Sequence, residues 1–112
     1  MEEIRNLLLG LEKEILSKRV SLNTRDGIRI CSIPEEDEEN PKAALDAAIL
    51  GISEMRISFP CVLTEGKHEK IVIAGAGPKM FISAEIMCEI PVTEKTKKLI
   101  LKTAQKIAKK IK

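Results

Sequence analysis

Apolar residues recur at two different intervals along this chain, and the changes of interval divide it into helical and extended segments. Residues 2–18 repeat at the helical interval, which predicts an amphipathic helix. Its apolar stripe is formed by Ile4, Leu8, Leu11 and Ile15. Two β-branched runs follow at 20–24 and 28–33, and the Asp26-Gly27 pair between them is typical of a hairpin turn. A helix followed by two antiparallel strands is therefore predicted.

The middle of the chain begins with a polar segment. Residues 34–41 carry five acids and two prolines, which predicts an exposed loop. Pro41 is suited to the first position of a helix, and the helix that it opens runs until Pro60. Runs at 61–66 and 70–76 are predicted to be two strands joined by a turn.

Residues 81–90 fit two periodicities. Ile82, Ile86 and Ile90 would align on a helix, but strict alternation of apolar and polar residues favours a strand. The polar side of this strand holds Ser83, Glu85 and Glu89. We expect it to be an exposed, charged face and not an acid–base pair.

The last segment, residues 94–111, is a lysine-rich helix with Thr93 as its capping residue. The order of elements is α-β-β-α-β-β-β-α, with no internal repeat. This order predicts one domain over residues 1–112, of mixed α/β (α+β) type, built on a five-stranded antiparallel sheet. Because the later strands are apolar on both sides, the sheet needs cover on both faces.

Composition adds three expectations. The chain is 44% hydrophobic and 32% charged with a net charge of +2, which is typical of a globular domain with no overall bias towards nucleic acid. Charges run through the amino-terminal segment, so we expect neither a secretory signal nor a membrane span, and a cytoplasmic protein. Abundant Lys, Glu and Ile with almost no Gln is a pattern reported for hyperthermophiles and indicates a thermophilic source.

No constellation of catalytic or metal-binding residues is visible. Cys31, Cys61 and Cys88 are widely spaced, and His68 is the one imidazole that could join them. We expect buried thiols and no zinc site, disulfide or cofactor. His68 has no neighbour in sequence that would make it a general base, and Ser32 has no evident basic partner. The sequence therefore predicts a protein that is not an enzyme.

The segment "IVIAGAGPKMFI", residues 71–82, raises the possibility of a phosphate-binding loop. A Walker-type loop needs G-x-x-x-x-G-K-[ST] before a helix, whereas Gly75 and Gly77 have another spacing and Met80 stands in place of the hydroxyl residue. Pro78 also removes one donor N–H from a dinucleotide-type loop. We favour a turn between two strands, with a phosphate site as the alternative.

The terminal helix separates its charges from its apolar residues. One arc is lysine-rich and holds Lys95, Lys98, Lys102, Lys106, Lys109 and Lys110. The opposite stripe holds Ile100, Ala104, Ile107, Ala108 and Ile111. A solvated outer face accounts for the lysines, and a face for an anionic partner is the alternative. Phe59 and Phe81 are the only aromatic residues, which argues against base stacking and against a membrane interface anchored by Trp.

The second helix is apolar around most of its circumference. We expect the first of its two apolar arcs to pack on the sheet: Ala44, Leu45, Ala48, Gly51, Ile52 and Met55. The second arc lies beyond it: Ala43, Ala47, Leu50 and Ile57. A peripheral helix in a monomer normally has a wide polar face, so the second arc predicts burial against another subunit in a homodimer.

The order of elements, the hairpin "RDGIRICS" after an amphipathic helix, and the alanine-rich "AALDAAILGIS" together resemble the roadblock / dynein light chain family. The resemblance covers almost the whole chain. It implies a profilin-like five-stranded antiparallel sheet with one helix on one face and two on the other, and dimers formed through residues 41–58 and 61–65. The dimer or partner interface expected on this basis comprises Ala43, Ala47, Leu50, Glu54, Ile57, Cys61 and Leu63.

The resemblance also implies a function, which is a non-enzymatic dimeric scaffold that binds or regulates a Ras-like small GTPase or another protein. An alternative from a different class is nucleic-acid or anionic-membrane binding through the basic terminal helix. A nucleotide-binding protein centred on Gly75 to Lys79 is the third possibility.

Overall fold

A computed structural model of the chain describes residues 2–35, 42–56, 61–65 and 69–111. Its eight elements follow the predicted order α-β-β-α-β-β-β-α. They are α1 (Glu2–Ile15), β1 (Arg19–Thr24), β2 (Arg29–Ile33), α2 (Lys42–Arg56), β3 (Cys61–Glu65), β4 (Glu69–Ala76), β5 (Met80–Met87) and α3 (Glu94–Lys110).

The strands form one five-stranded sheet in the order β2-β1-β5-β4-β3. Every neighbouring pair is antiparallel, and β5 lies at the centre, where it pairs with both β1 and β4. The two edges are β2 and β3. The predicted five-stranded antiparallel sheet is therefore confirmed.

One face of the sheet is covered by α1 and α3 and holds the main core. Alternate residues of β1, β4 and β5 point into this core, as the period of two requires. The helices contribute the stripes that the helical interval predicted. The buried helical side chains are Ile4, Leu8, Leu11, Ile15, Ile100, Ala104 and Ile107.

The opposite face is covered by α2 and is much less apolar. A small cluster joins Leu50 of α2 to Ile73 of β4 and Phe81 of β5. Among the described residues, most of the remaining buried positions on this face are polar. They include Ser21, Asn23, Ser83 and Glu85. One helix on one face and two on the other is the arrangement expected from the sequence.

Two elements end three residues earlier than their sequence patterns predicted. The first helix ends at Ile15 instead of residue 18, because Leu16 adopts the left-handed region with φ of 54°. Strand β5 ends at Met87 instead of residue 90, because the N–H of Ile90 turns back to the carbonyl of Met87 at 3.0 Å. In both cases an apolar residue of the following turn continues the pattern, so the pattern predicts an element that is too long.

The start of α3 was correctly predicted. Thr93 has extended backbone angles, and its side chain accepts a hydrogen bond from the N–H of Thr96 at 3.2 Å. This bond satisfies one of the free N–H groups at the helix start.

Candidate partner-binding surface

A buried polar network lies between α2 and the sheet. Asp46 of α2 and Ser83 of β5 are each only 2% exposed, and the Ser83 hydroxyl donates to Asp46 Oδ2 at 2.8 Å. Asn23 Nδ2 donates to the Ser21 hydroxyl at 3.0 Å, and Arg29 Nε donates to Asn23 Oδ1 at 3.1 Å. Because buried polar groups are costly without partners, this network fixes which side of α2 faces the sheet.

Glu85 is part of the same polar face and contradicts the prediction made for it. We expected an exposed, charged face shared with Ser83 and Glu89, but Glu85 is only 3% exposed and Ser83 is also buried. Arg19 lies directly opposite Glu85 in the ladder, with its Nη1 3.7 Å from Glu85 Oε2. The nearby guanidinium offsets part of the cost of burying this carboxylate. Glu89 is exposed, in the turn after the strand.

Where the side chains of α2 are described, its two faces are the reverse of the prediction. Leu45 was expected to pack on the sheet but is 61% exposed, and Ala44 and Ala48 beside it are also exposed. Leu50 was expected to face outward but is 2% exposed. The physical reason is the polar sheet face, which places Asp46 inward and takes Leu50 with it one turn later.

Ala44, Leu45 and Ala48 therefore form an exposed apolar surface, called here the outer α2 surface. It adjoins the β1–β2 hairpin, because a Cβ added to Gly27 would lie 2.7 Å from the Cα of Ala44. Gly27 also has φ of 94°, so both its conformation and this approach require glycine. The residue after it, Ile28, is another exposed large apolar side chain.

The residues of α2 that were predicted for the interface lie in different environments, and some lie outside the described part of the chain. Ala47 is half-buried, and Leu50 belongs to the core between α2 and the sheet. Ala43 and Glu54 lie on α2, but their side chains are not among those described, and Ile57 lies outside the described residues. The interface itself stays a prediction, and Leu50 is too deeply buried to contribute to it.

Cys61 and Leu63, the other two predicted interface residues, lie on β3. Their backbones pair with Ala74 and Val72 of β4, and β3 is an edge of the sheet. An edge strand has one row of N–H and C=O groups that the sheet does not pair. In the described part of the chain, no strand pairs with the outer edge of β3.

The predicted lysine arc lies on the exposed side of α3. All six lysines are exposed: Lys95, Lys98, Lys102, Lys106, Lys109 and Lys110. Lys110 Nζ lies 2.6 Å from Glu3 Oε2 and joins the end of α3 to the start of α1. The hydrogen bond and the charge of Lys110 lower the pKa of Glu3. An anionic partner for this arc stays a prediction.

The glycine-rich segment forms a turn, as predicted. Residues 77–79 connect β4 to β5, and Gly77 has φ of 81°. Arg25 Nη2 donates to the carbonyl oxygen of Gly77, and the N–H of Arg25 donates to that of Lys79, each at 3.0 Å. The carbonyl groups of the turn therefore accept hydrogen bonds from the β1–β2 hairpin, which supports a structural role for the turn.

The cysteines show no shared site among the described side chains. Cys31 and Cys88 are half-buried and form no disulfide with a described residue, while the Cys61 side chain and His68 lie outside the described residues. Burial raises the pKa of the Cys31 thiol. Over the described ranges, no group of three or more His, Cys, Asp or Glu residues has a geometry suited to a metal ion.

Among the helices in the described part of the chain, none has the length and apolarity needed to cross a bilayer.

The arrangement of three helices around a five-stranded antiparallel sheet is the roadblock fold. The chain is similar to the gliding protein MglB of Thermus thermophilus, with a TM-score of 0.79 and 14% identity over 96% of this chain and 87% of that one. It is also similar to an MglB with a tetrameric arrangement, with a TM-score of 0.79 and 15% identity over the same shares of the two chains.

A third similar structure is a Roadblock/LC7 domain from Streptomyces avermitilis, with a TM-score of 0.73 and 14% identity over 94% of each chain. No protein-family model and no curated protein sequence matches the chain. At these identities the likeness establishes the fold.

Sequence reasoning missed the outer α2 surface because it assigned the most apolar arc to the sheet. One signal was available. Asp46 is the only charged residue between Lys42 and Glu54, and Ser83 on a central strand offered it a hydroxyl. Pairing Asp46 with the polar side of β5 would have predicted correctly which side of α2 faces the sheet.

Proposed function

We propose that this protein is a non-enzymatic, dimeric roadblock module that binds and regulates a Ras-like small GTPase. The observation that carries the proposal is the outer α2 surface. Ala44, Leu45 and Ala48 are exposed on a helix whose inner side is already packed on the sheet. Exposed apolar residues grouped on one element are typical of an interaction site.

The shape of this surface supports self-association. Alanines at positions 44 and 48 are one helical turn apart, which lets a second helix approach closely. In a symmetric dimer the same surface of both subunits meets at the interface, so each subunit would bury the Leu45 side chain of the other. Strand β3 lies at an edge of the sheet and can add its backbone to that of a second copy. The similar MglB with a tetrameric arrangement supports assembly of this fold.

The GTPase as partner rests on the family resemblance, and the similar MglB structures support the fold on which that resemblance depends. Fold likeness is a weaker argument than a site, so the partner needs a direct experiment. The hairpin residue Ile28 extends the apolar surface beyond α2 and could be shared between the dimer contact and a partner.

A pull-down with small GTPases from the source organism tests the proposal. Each GTPase is loaded with GTP or GDP and offered to the wild-type chain and to a Leu45→Glu variant. We expect one GTPase to be retained in a nucleotide-dependent manner by the wild type and lost by Leu45→Glu. The matched control is Leu16→Glu, because Leu16 is similarly exposed at 66% but follows α1. Retention that is equal for both variants contradicts the proposal.

A further inference from the structure

A groove runs between α1 and α3, on the face of the sheet opposite α2. Its volume is about 280 Å³, and its apolar lining includes Leu7 and Leu11 of α1 and Leu99 of α3. Leu7 and Leu99 are half-buried, so the groove exposes part of their surface. Sites for drug-sized ligands have volumes of about 300–1,000 Å³, so this groove is suited to a few side chains and not to a large cofactor.

Gly10 provides an independent indication that the groove is kept open. It lies within α1 and lines the groove, and an added Cβ would meet no atom within 4 Å. Glycine in a helix interior is less favourable than alanine by about 0.5–1 kcal/mol. No close approach of another described residue to Gly10 requires the glycine. A bound group that needs the space above Gly10 would account for the glycine.

The charges of the groove are asymmetric. Lys102 and Lys106 of α3 line it one turn apart, and Glu14 of α1 is the acid among its lining residues. Both lysines are exposed, and neither forms an ion pair in the described part of the chain. The remaining lysines of the arc increase the positive potential outside the groove. The complementary ligand is therefore apolar on one side and negatively charged on the other.

Among macromolecules that carry negative charge, a helical peptide fits best. Two neighbouring helices with a groove between them can bind a third helix, whose apolar side chains at positions i, i+4 and i+7 enter the groove. A bilayer surface would need large apolar side chains projecting outward beside the lysines, whereas Leu7 and Leu99, which lie beside Lys102 and Lys106, line a concave groove. Single-stranded nucleic acid would need aromatic side chains, and Phe81 is buried beneath α2.

We propose that the α1–α3 groove is a second docking site, which binds an acidic amphipathic helix of a partner protein. The aliphatic side chains of the partner helix pack on Leu7 and Leu99 above Gly10, and the carboxylates of the partner helix face Lys102 and Lys106. The sheet separates this groove from the outer α2 surface, so both sites can be occupied at once. The inference does not depend on the identity of the partner at α2.

The test uses a library of helix-forming peptides displayed on phage and selected on the immobilised full-length chain. Peptides are then compared by fluorescence anisotropy on the wild type and on Gly10→Leu. The leucine fills the groove, and the open space at this position allows the variant to fold, which thermal unfolding verifies. We expect the selection to yield net acidic peptides with aliphatic residues at i, i+4 and i+7. Gly10→Leu should bind these peptides at least about tenfold more weakly than the wild type does.

Charge is tested by two double variants that change the net charge equally. Lys102→Glu/Lys106→Glu alters the groove, whereas Lys98→Glu/Lys109→Glu alters the same helix outside it. We expect at least about tenfold weaker binding for the first pair and a smaller, salt-sensitive loss for the second. Equal losses would mean that the lysines act only through the general field and would overturn the assignment to the groove.

Three further results would also contradict the proposal. The first is a selection that yields no peptide preferring the wild type over Gly10→Leu. The second is tight binding of phosphatidylserine vesicles or single-stranded DNA that Gly10→Leu leaves unchanged, because a lysine surface alone would then suffice. The third is loss of peptide binding in Leu45→Glu, which would move the peptide to the outer α2 surface. Unchanged peptide binding in Leu45→Glu supports two separate sites, even if no GTPase is found.

Discussion

Replacing Ser83 by alanine tests whether the buried polar network holds α2 on the sheet. The Ser83 hydroxyl donates to Asp46 Oδ2 at 2.8 Å, and each residue is only 2% exposed. A hydrogen bond to a charged group contributes about 1.5–3 kcal/mol, and its loss leaves a buried carboxylate with one donor fewer. We therefore expect Ser83→Ala to lower the free energy of unfolding by about 2–3 kcal/mol.

The assay is equilibrium unfolding in guanidinium chloride, with thermal unfolding as a second measurement. For a chain of this size, each kcal/mol shifts the melting temperature by about 3–6 °C, so the variant should melt roughly 6–18 °C lower. Asp46→Ala and the double variant complete a thermodynamic cycle, from which a coupling of about 1.5–3 kcal/mol is expected.

Ser32→Ala is the matched control. Ser32 is also buried, and its hydroxyl donates to the carbonyl oxygen of Pro34 at 2.8 Å, which is a neutral acceptor. A neutral hydrogen bond contributes about 0.5–1.5 kcal/mol, so this variant should lose less stability than Ser83→Ala. Equal losses in the two variants, or no coupling between Ser83 and Asp46, would refute the reasoning.

Four other predictions concern single positions. Gly10→Ala should raise the free energy of unfolding by about 0.5–1 kcal/mol, because the added methyl group meets open space in a helix. Gly77→Ala should lower it by about 1–2 kcal/mol, because φ of 81° is unfavourable for alanine. Cys31 should react with a maleimide more slowly than a peptide thiol at about pH 8, since burial raises its pKa and the thiolate is the reactive form. Lys110→Gln should raise the pKa of Glu3 towards its usual value in an NMR titration. The contribution of this pair to stability is present above the usual pKa and is lost as the pH falls through the lowered one.

The helices of the main core could be predicted because each has one apolar stripe. In α1 and α3 the residues that repeat at the helical interval are the residues that pack, and the capping role of Thr93 follows from its side chain alone. Their positions on the sheet needed no knowledge of distant partners.

The orientation of α2 could not be read in the same way. This helix is apolar or small around most of its circumference, so its inner side is decided by a contact with Ser83, which is 37 residues away in sequence. The α1–α3 groove also depends on distant packing, since the Glu3–Lys110 pair that joins its two helices spans 107 residues. Local periodicity carries neither kind of information.

The central claim, that the outer α2 surface is an association surface, is tested most directly by sedimentation equilibrium at micromolar concentrations. Full burial of a leucine contributes about 1.5–3 kcal/mol, and Leu45 is 61% exposed, so burying the remainder in both subunits contributes roughly 2–4 kcal/mol. Leu45→Glu should therefore weaken the dimer by at least about 30- to 700-fold. We predict twice the monomer mass for the wild type and for Leu16→Glu, and the monomer mass for Leu45→Glu. A monomeric wild type, or a Leu45→Glu variant that dimerises as tightly as the wild type, would contradict the claim.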